Sequence, residues 1–284
     1  MKNRPTLPVV CYEPTGSQGA GLRVFLRMAE ELWKFRELLR ELVRRDFRVR
    51  RRSSFLGLFW SLAHPAALVA VFVWLKNSRL VFEGDVGMPY ALYAYLGVLH
   101  WNLFSSLLAY SAGSLLNASN LVAKVKFPRE TLVLAACARA VVDWLLALPV
   151  LAVLFWWVGV VPAWPIVFAP VALVPLILLG AGLGMLLAVV ALPVRDVVQA
   201  LPLALAPLLF LSPVLYELPV SGAWPTLRAL NPVAAVLDML RGLCVSVAPE
   251  SVQAWLVWCL ISLFVFLSCW RVFHGIVKRI PEYA

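Results

Sequence analysis

Long runs without a formal charge constrain this chain more than any other feature of its sequence. The run 53–75 contains 23 uncharged residues, and a helix needs about 20 apolar residues to cross ~30 Å of hydrocarbon. The whole chain is 62% hydrophobic and only 14% charged, whereas about a quarter of the residues of a soluble domain are charged. The sequence therefore predicts an all-α polytopic membrane protein.

Stretches rich in glycine and proline divide the apolar sequence into segments of membrane-crossing length. Examples are GVVPAWP at 159–165 and LPVRD at 192–196, since both residue types interrupt regular structure. Between such breaks we predict six transmembrane helices. Their predicted ranges are 55–76, 90–116, 131–159, 164–192, 197–216 and 251–270.

Basic residues accumulate on one side of this six-helix arrangement. Residues 1–52 hold 13 Lys and Arg against 6 Asp and Glu, and the remaining 232 residues hold 12 against 9. Further basic residues at 124–129, 195 and 278–279 fall on the same side when six helices alternate across the membrane. Because cytoplasmic loops are rich in Lys and Arg, both termini are expected to be cytoplasmic.

An amphipathic helix is predicted immediately before the first span. Apolar residues such as Leu32, Leu39 and Leu42 repeat with helical spacing, while Glu41 and Arg44 take the other side. Such a helix lies along the cytoplasmic face of the membrane or packs on a soluble partner, and both can hold. The predicted organisation is an N-terminal cytoplasmic extension (1–28), an amphipathic interface helix (29–52) and a six-helix transmembrane domain (53–284).

The segment 218–248 is apolar but too broken to cross the membrane. Pro219, Pro225 and Pro232 interrupt its runs. Backbone at membrane depth must satisfy its hydrogen bonds internally, so such segments survive as short helices buried in protein or lining a wet cavity. We predict an external re-entrant helical hairpin before the sixth helix, with Trp224, Asn231 and Pro232 near its turn.

The sequence lacks the motifs of common catalytic and cofactor sites. No G-x-x-x-x-G-K-[ST] motif offers an ATP site, and the glycines of LGAGLGMLL at 179–187 are expected to let helices pack closely. No G-x-S-x-G nucleophile elbow occurs. The five cysteines stand alone and the three histidines lie far apart, so we expect no metal site. The chain is expected to be no enzyme and to have no nucleic-acid partner.

Arg139 and Asp143 are charges within the third predicted span. Residues four apart share one face of a helix, and a lone charge in mid-span costs about 3 kcal/mol on insertion scales. Arg139 also lies near enough to the cytoplasmic end to snorkel. We favour a structural pair over a role in transport.

Several short motifs occur in an order that resembles one known family. RRDFRVRRRSSFLGLFWSLAHP begins at Arg44, and NLVAKVKFPRE spans 120–130. VRDV and SPVLYELP flank the fifth span, and LNPVAAVLDMLRG precedes the sixth. Together with the matching spans, this order resembles the membrane subunit of ABC-2-type bacterial polysaccharide exporters, which serve O-antigen, capsule and teichoic acid.

The resemblance implies the permease half of an ATP-driven exporter in the bacterial inner membrane. Two copies would pair as a homodimer around a conduit. Two separate P-loop ATPase subunits would bind ATP and Mg in the cytoplasm, so this chain itself would hold no cofactor. The implied cargo is a polyprenyl-diphosphate-linked polysaccharide.

The resemblance also implies roles for two groups of residues, in ATPase coupling and in the conduit. The cytoplasmic loop between the second and third spans would seat in a cleft of the ATPase, with Phe127 as its anchor and Lys124 and Lys126 as its rim. The coupling residues are Leu121, Lys124, Lys126, Phe127, Pro128 and Arg129. The conduit and gate residues are Phe59, Trp60, Tyr216, Trp224, Asn231 and Pro232.

Arginines crowd the start of the first span, and three explanations compete for them. Basic residues hold a topology, attract anionic lipid, or bind a substrate diphosphate. Every basic position from 36 to 52 is Arg rather than Lys, and the planar guanidinium can bind phosphate oxygens with two hydrogen bonds. Topology contributes in any case, and we predict diphosphate binding as well. The predicted headgroup residues, which share a helical face, are Arg44, Arg48, Arg51 and Arg52.

Two other functions remain open on the sequence alone. The first is an ion-driven lipid or solute carrier, although Asp143 is the only acidic residue clearly inside a span and such carriers usually need several. The second is a membrane-embedded glycosyl- or acyltransferase, for which no acid–base constellation is visible. A P-loop ATPase encoded in the neighbouring reading frame would favour the exporter.

Overall fold

In the computed structural model the chain is helical, and the part that the structure describes contains no β-strand. This part comprises residues 22–53, 57–78, 87–119, 121, 127–217, 222, 224–245 and 252–277, with side chains of the first two ranges described only in part. The predicted all-α fold is confirmed. The helices are α1 (Leu22–Lys34), α2 (Arg36–Ser53), α3 (Gly57–Asn77), α4 (Tyr90–Asn117), α5 (Glu130–Val158), α6 (Val174–Ala191, preceded by helical turns at Trp164–Phe168 and Ala169–Ala172), α7 (Asp196–Leu211), α8 (Trp224–Ala229), α9 (Pro232–Val245) and α10 (Val252–Val277).

Three helical segments are long and apolar enough to cross a membrane. They are Glu130–Val158, Trp164–Ala191 and Val252–Val277, and they fall on the third, fourth and sixth predicted spans. The helices α3, α4 and α7 occupy the other three predicted positions. Of these, α7 is apolar but shorter, α4 is less apolar, and the fully described part of α3, Ala66–Asn77, is a shorter apolar helix. In α4 the reason is a content of Tyr, Ser, Asn and His that the protein interior tolerates. Three such helices in one chain are typical of a multi-pass helical membrane protein.

The helix α4 lies at the centre of the fold. Residues 92–101 are all buried, because α3, α5, α6, α7 and α9 pack around them. Polar groups on this buried helix find partners on its neighbours. The hydroxyl of Tyr95, for example, donates a hydrogen bond of 2.9 Å to the carbonyl of Ala147 in α5. Polar side chains of α4 such as Tyr95 are thus buried with a hydrogen-bond partner on a neighbouring helix.

Glycines on two faces of α6 bring three helices into backbone contact. A Cβ atom on Gly184 would lie 2.6 Å from the Cβ of Ser111 in α4, and one on Gly180 would lie 2.8 Å from a methyl of Leu107. On the opposite face, a Cβ on Gly182 would lie 2.8 Å from the Cα of Phe266 in α10. The prediction that the glycines at 179–187 permit close helix packing is confirmed, and α4, α6 and α10 form one packed layer.

The N-terminal helical region differs from the prediction in its start and in its continuity. It begins at Leu22 rather than at residue 29, and Phe35 separates α1 from α2. The earlier start has a packing reason, because Met28 is buried and Phe25 lies 6.0 Å from Trp270 of α10 between ring centroids. The helical region thus extends across the predicted boundary at 28/29. The amphipathic character is confirmed, since Leu42 is buried while the charged face is exposed.

The helices α8 and α9 form a hairpin between α7 and α10. The turn between them lies at Leu230 and Asn231. At one end of α9, the carbonyl of Cys244 accepts a hydrogen bond from the Ala163 backbone. At the turn, the indole N–H of Trp258 in α10 donates to the carbonyl of Ala229 at 3.1 Å. The hairpin is thus packed among the other helices rather than extended from them, with α9 in contact with α4, α6 and α10.

Candidate functional site

The predicted headgroup arginines lie in the second half of α2, which runs as one helix to Ser53. Arg44 and Arg48 are exposed. One guanidinium nitrogen of Arg44 lies 4.0 Å from a carboxylate oxygen of Glu41, one turn earlier. The side chains of Arg51 and Arg52 lie outside the described residues. Their convergence on one headgroup stays a prediction.

The end of the predicted coupling loop is buried in this chain. Phe127 is only 5% exposed and Pro128 is buried as well. The ring that is predicted to anchor the loop in the ATPase is thus packed inside this chain, and its role as anchor stays a prediction. Burying such a ring is worth about 1.5–3 kcal/mol, and the core beside the start of α5 accommodates it. Leu121 is half-buried against the core, while Lys124 and Lys126 lie outside the described residues.

Two contacts join the residues after this loop to the end of α10. Arg129 donates a hydrogen bond of 3.0 Å to the carbonyl of Val277. A carboxylate oxygen of Glu130, the first residue of α5, lies 2.5 Å from Nδ1 of His274. Because a carboxylate only accepts, Nδ1 carries the proton. Both side chains are less than 10% exposed, so the start of α5 and the end of α10 are held together in the interior.

Asn231 fastens the hairpin to the end of α7. Its side-chain oxygen accepts hydrogen bonds from the backbone N–H groups of Val233 (2.9 Å) and Ala234 (3.3 Å), which is the pattern of a helix N-cap. Its side-chain nitrogen donates to the hydroxyl of Ser212 at 2.8 Å. One side chain therefore both starts α9 and binds the residue after α7.

The other predicted conduit and gate residues occupy varied positions. Pro232 is the first residue of α9, where its missing N–H removes no helical hydrogen bond. Tyr216 is half-buried and its hydroxyl donates to the carbonyl of Phe210. Trp224 is the half-buried first residue of α8. The side chains of Phe59 and Trp60 lie outside the described residues.

Arg241 of α9 is a buried cation held by carbonyl oxygens. Its guanidinium donates to the carbonyls of Pro213 (2.8 Å), Val214 (3.0 Å) and Tyr93 (3.3 Å). The carbon at the centre of the guanidinium lies 3.4 Å from the centroid of the Tyr93 ring. Arg241 is 6% exposed, so these contacts replace water. They connect three parts of the chain: α9, the turn after α7 and the start of α4.

Gly97 of α4 allows the turn after α7 to come close to the Arg241 guanidinium. A Cβ atom at this position would lie 2.0 Å from the carbonyl oxygen of Val214 and 3.0 Å from a guanidinium nitrogen of Arg241. Both distances are shorter than ordinary van der Waals contact. The absence of a side chain on α4 therefore lets the turn after α7 enter the core.

The predicted pair within the third span meets a third residue. The hydroxyl of Tyr110 in α4 donates to a carboxylate oxygen of Asp143 at 2.9 Å. The guanidinium carbon of Arg139 lies 4.2 Å from the centroid of the same ring. All three side chains are half-buried. A tyrosine thus bridges the two charges, which supports a structural role, while the predicted direct pairing stays a prediction.

Comparison with known proteins assigns the chain to a family. A sequence profile described as ABC-2 type transporter matches residues 37–245, more than half of the chain. The chain belongs to the ABC-2 type transporter family. It is 28% identical over 221 residues to the "O-antigen export system permease protein RfbA" of Myxococcus xanthus, covering 77% of this chain and 84% of that protein. A protein of the same name from Klebsiella pneumoniae is 25% identical over 227 residues, with the same coverage.

The match confirms the resemblance that the motifs carry, and it covers most of the elements just described. In this ABC-2 family member the matched range runs from Glu37 in α2 to Val245, the last residue of α9. It therefore includes the Arg241 cluster and the hairpin. Among the described residues, no group of three or more His, Cys, Asp and Glu side chains is arranged to hold a metal ion.

The sequence alone did not predict two sets of contacts in this ABC-2 permease: the one between Glu130 and His274, and those of Arg241. Glu130 and His274 are 144 positions apart, and nothing in either local sequence names the other. Arg241 lies within a quoted motif, LNPVAAVLDMLRG, but that motif says nothing about the carbonyls that surround it. One signal was available for Arg241, since a charge in a segment assigned to membrane depth must find internal partners.

Proposed function

We propose that this chain is the permease half of an ATP-driven exporter that moves a polyprenyl-diphosphate-linked polysaccharide across the bacterial inner membrane. Membership of the ABC-2 family, together with likeness to O-antigen export permeases over 77% of the chain, is the observation that carries the proposal. The exposed arginines of α2 support a substrate that bears phosphate.

In this proposal α3, α4, α5, α6, α7 and α10 are the six transmembrane helices. Helices at all six predicted positions support that number, and the basic clusters of the sequence support cytoplasmic termini. The cytoplasmic extension (1–28), the interface helix (29–52) and the transmembrane domain (53–284) keep their proposed roles, with the helical region beginning within the extension.

A second copy of the chain would complete the conduit beside α7. Leu205 is the buried residue of this helix, whereas Leu203 is 78% exposed and Phe210 is 50% exposed. Pro202 and Pro207 remove the N–H donors that the carbonyls of Val198 and Leu203 would otherwise bind. Lipid cannot satisfy a carbonyl, so a wet conduit or a partner chain suits this helix better. The proposed assembly is a homodimer.

Two separate ATPase subunits would bind ATP and Mg and dock on the cytoplasmic side. The proposed docking element lies within 117–130, and its basic loop ends at the buried corner of Phe127 and Pro128, before Glu130 begins α5. Since Phe127 faces inward, its part in docking would be to hold the direction in which the loop enters α5. Leu121, Lys124 and Lys126 are the proposed contact residues.

The α8–α9 hairpin would close the conduit on the outer side. The N-cap at Asn231 and its bond to Ser212 support a hairpin whose position follows the end of α7. Cysteine accessibility tests this part of the proposal. In a cysteine-free background, free labelling from outside at every position of 220–229 would indicate an ordinary exposed loop.

Reconstitution tests the function as a whole. The chain would be co-purified with an ATPase encoded beside it and inserted into vesicles that contain a lipid-linked glycan. We expect the glycan to stimulate ATP hydrolysis and to appear inside inverted vesicles only when ATP is present. Transport that needs no ATPase and follows an ion gradient would establish the carrier alternative instead.

A further inference from the structure

In the proposed topology, a buried contact between two ionisable side chains lies at the cytoplasmic end of the helices. There Glu130 of α5 faces His274 of α10 at 2.5 Å, and Arg129 binds the carbonyl of Val277. These residues follow directly after Phe127 and Pro128, where the proposed docking loop ends. A buried ionisable pair resists separation, because removing one partner leaves the other without water or a counter-charge. Movement of the loop would therefore act on α10 as well as on α5.

The helix α10 is long and supported along its length. Its 26 residues span about 39 Å at 1.5 Å per residue. It packs against α6, and at Gly182 the two backbones approach so closely that a Cβ would meet the Cα of Phe266 at 2.8 Å. A helix backed in this way is displaced as a unit rather than bent.

The opposite end of α10 contacts the hairpin. The indole N–H of Trp258 donates to the carbonyl of Ala229, the last residue of α8, at 3.1 Å. One turn earlier, the indole N–H of Trp255 donates to the carbonyl of Ala172, which precedes α6, also at 3.1 Å. The two tryptophans therefore make the same type of bond to different targets. Only the bond of Trp258 reaches the hairpin.

We propose that Glu130 and His274 join α10 to the docking loop, and that α10 carries the displacement of this loop to the α8–α9 hairpin. The inference rests on the proposed transport function. Glu130 and His274 act as positioning residues, because they contact neither the nucleotide nor the glycan. Trp258 is the corresponding contact at the outer end.

The test uses the full complex with its ATPase in vesicles and a reporter on the hairpin. Thr226 of α8 is exposed, so a Thr226→Cys reporter in a cysteine-free background can be labelled with a membrane-impermeant maleimide. The labelling rate is measured without nucleotide and with ATP plus vanadate. In the otherwise unaltered protein we expect the nucleotide to change this rate. A complex that neither hydrolyses ATP nor exports glycan would refute the proposed function, and it would do so before any variant is compared.

Removing the contact between Glu130 and His274 should uncouple the hairpin from the ATPase. We expect Glu130→Gln and His274→Gln to bind the ATPase and hydrolyse ATP at the unaltered rate. The nucleotide-dependent change at the reporter should fall by about fivefold or more, within the usual range of coupling between sites. The exchanged pair Glu130→His/His274→Glu should restore most of the response. Asp196→Asn is the matched control, because this acid lies in the first turn of α7 and is exposed.

The hydrogen bond from Trp258 to the Ala229 carbonyl allows an independent test that does not involve a buried charge. Trp258→Phe keeps an aromatic ring but removes the N–H donor, and it should reduce the reporter response while hydrolysis continues. Trp255→Phe, the matched control, should leave the response unchanged. The inference is overturned if the Glu130 and His274 variants keep the full reporter response, or if they fail to bind the ATPase. Equal effects of the two tryptophan substitutions would overturn it too.

Discussion

At the scale of single residues, the guanidinium of Arg241 takes the place of water for three carbonyl oxygens. Arg241→Ala would remove the donor of these three bonds, and a buried carbonyl that is left without a partner costs about 1–3 kcal/mol. The Pro213 oxygen would keep the Tyr93 hydroxyl as a donor at 3.5 Å. Arg241→Lys keeps the charge but loses the planar fork that reaches several acceptors, so a smaller loss is expected. Thermal unfolding of the protein in detergent measures both. Arg195→Ala, at an exposed arginine, is the control, and an equal melting temperature for Arg241→Ala and Arg195→Ala would contradict the prediction.

Gly97 and Gly275 offer a matched pair of substitutions in helices. Gly97→Ala would place a Cβ 2.0 Å from the Val214 carbonyl oxygen, so the turn after α7 must move and stability should fall. A Cβ atom on Gly275 in α10 would meet no atom within 4 Å beyond its own stretch of helix. There alanine should stabilise the helix by up to about 1 kcal/mol. Opposite shifts in the melting temperature are expected, and a loss for both would show that close approach is not the cause.

Residue identities in the sequence predict some of these positions and not others. Asn231 and Pro232 are predicted near the hairpin turn, because proline and a capping residue mark the start of a helix wherever it packs. The sequence assigns Phe127 to a partner because its loop reads as cytoplasmic, but its ring is buried in this chain. The partners of Glu130 and Arg241 depend on tertiary packing, which a local pattern does not contain.

At the scale of the helix, α2 carries its arginines on one continuous segment that ends at the first span. The variant Arg48→Lys/Arg51→Lys/Arg52→Lys keeps the charge, so topology and ATPase assembly should be unchanged. If the planar guanidinium binds a diphosphate, glycan-stimulated hydrolysis and export should be lost. The control Arg27→Lys/Arg40→Lys changes exposed arginines farther from the span. Export at the unaltered rate by the triple variant would leave only the topological role.

Helices are predicted well where one physical requirement dominates. Crossing a membrane demands length and apolarity, so the observed helices fall on the predicted spans. The start at Leu22 escapes prediction because its cause is a contact between Phe25 and Trp270, which are distant in sequence. The break at Phe35 escapes it for a similar reason, since the apolar repeat runs through it without interruption.

At the scale of the whole molecule, the exposure of α7 predicts where a second copy packs. In a cysteine-free background, Leu203→Cys should cross-link two copies in native membranes, because Leu203 is 78% exposed on the helix proposed to face the partner. Phe264→Cys is the control, since Phe264 is 72% exposed on α10 and is expected to face lipid. Cross-linking at both positions with equal yield would indicate random collision rather than a dimer interface.

The glycines of α6 have a consequence for how such a dimer changes shape. With Gly180 and Gly184 packed against Leu107 and Ser111 of α4, and Gly182 against the backbone of α10, these helices lie too close together to bend one by one. A displacement of α10 therefore carries α6 and α4 with it. Each protomer then contains a block of fixed internal geometry, and its motion is described by the six coordinates of a rigid body. The conduit would widen through rotation of two such blocks about α7, so its diameter would depend on an angle rather than on the deformation of any helix.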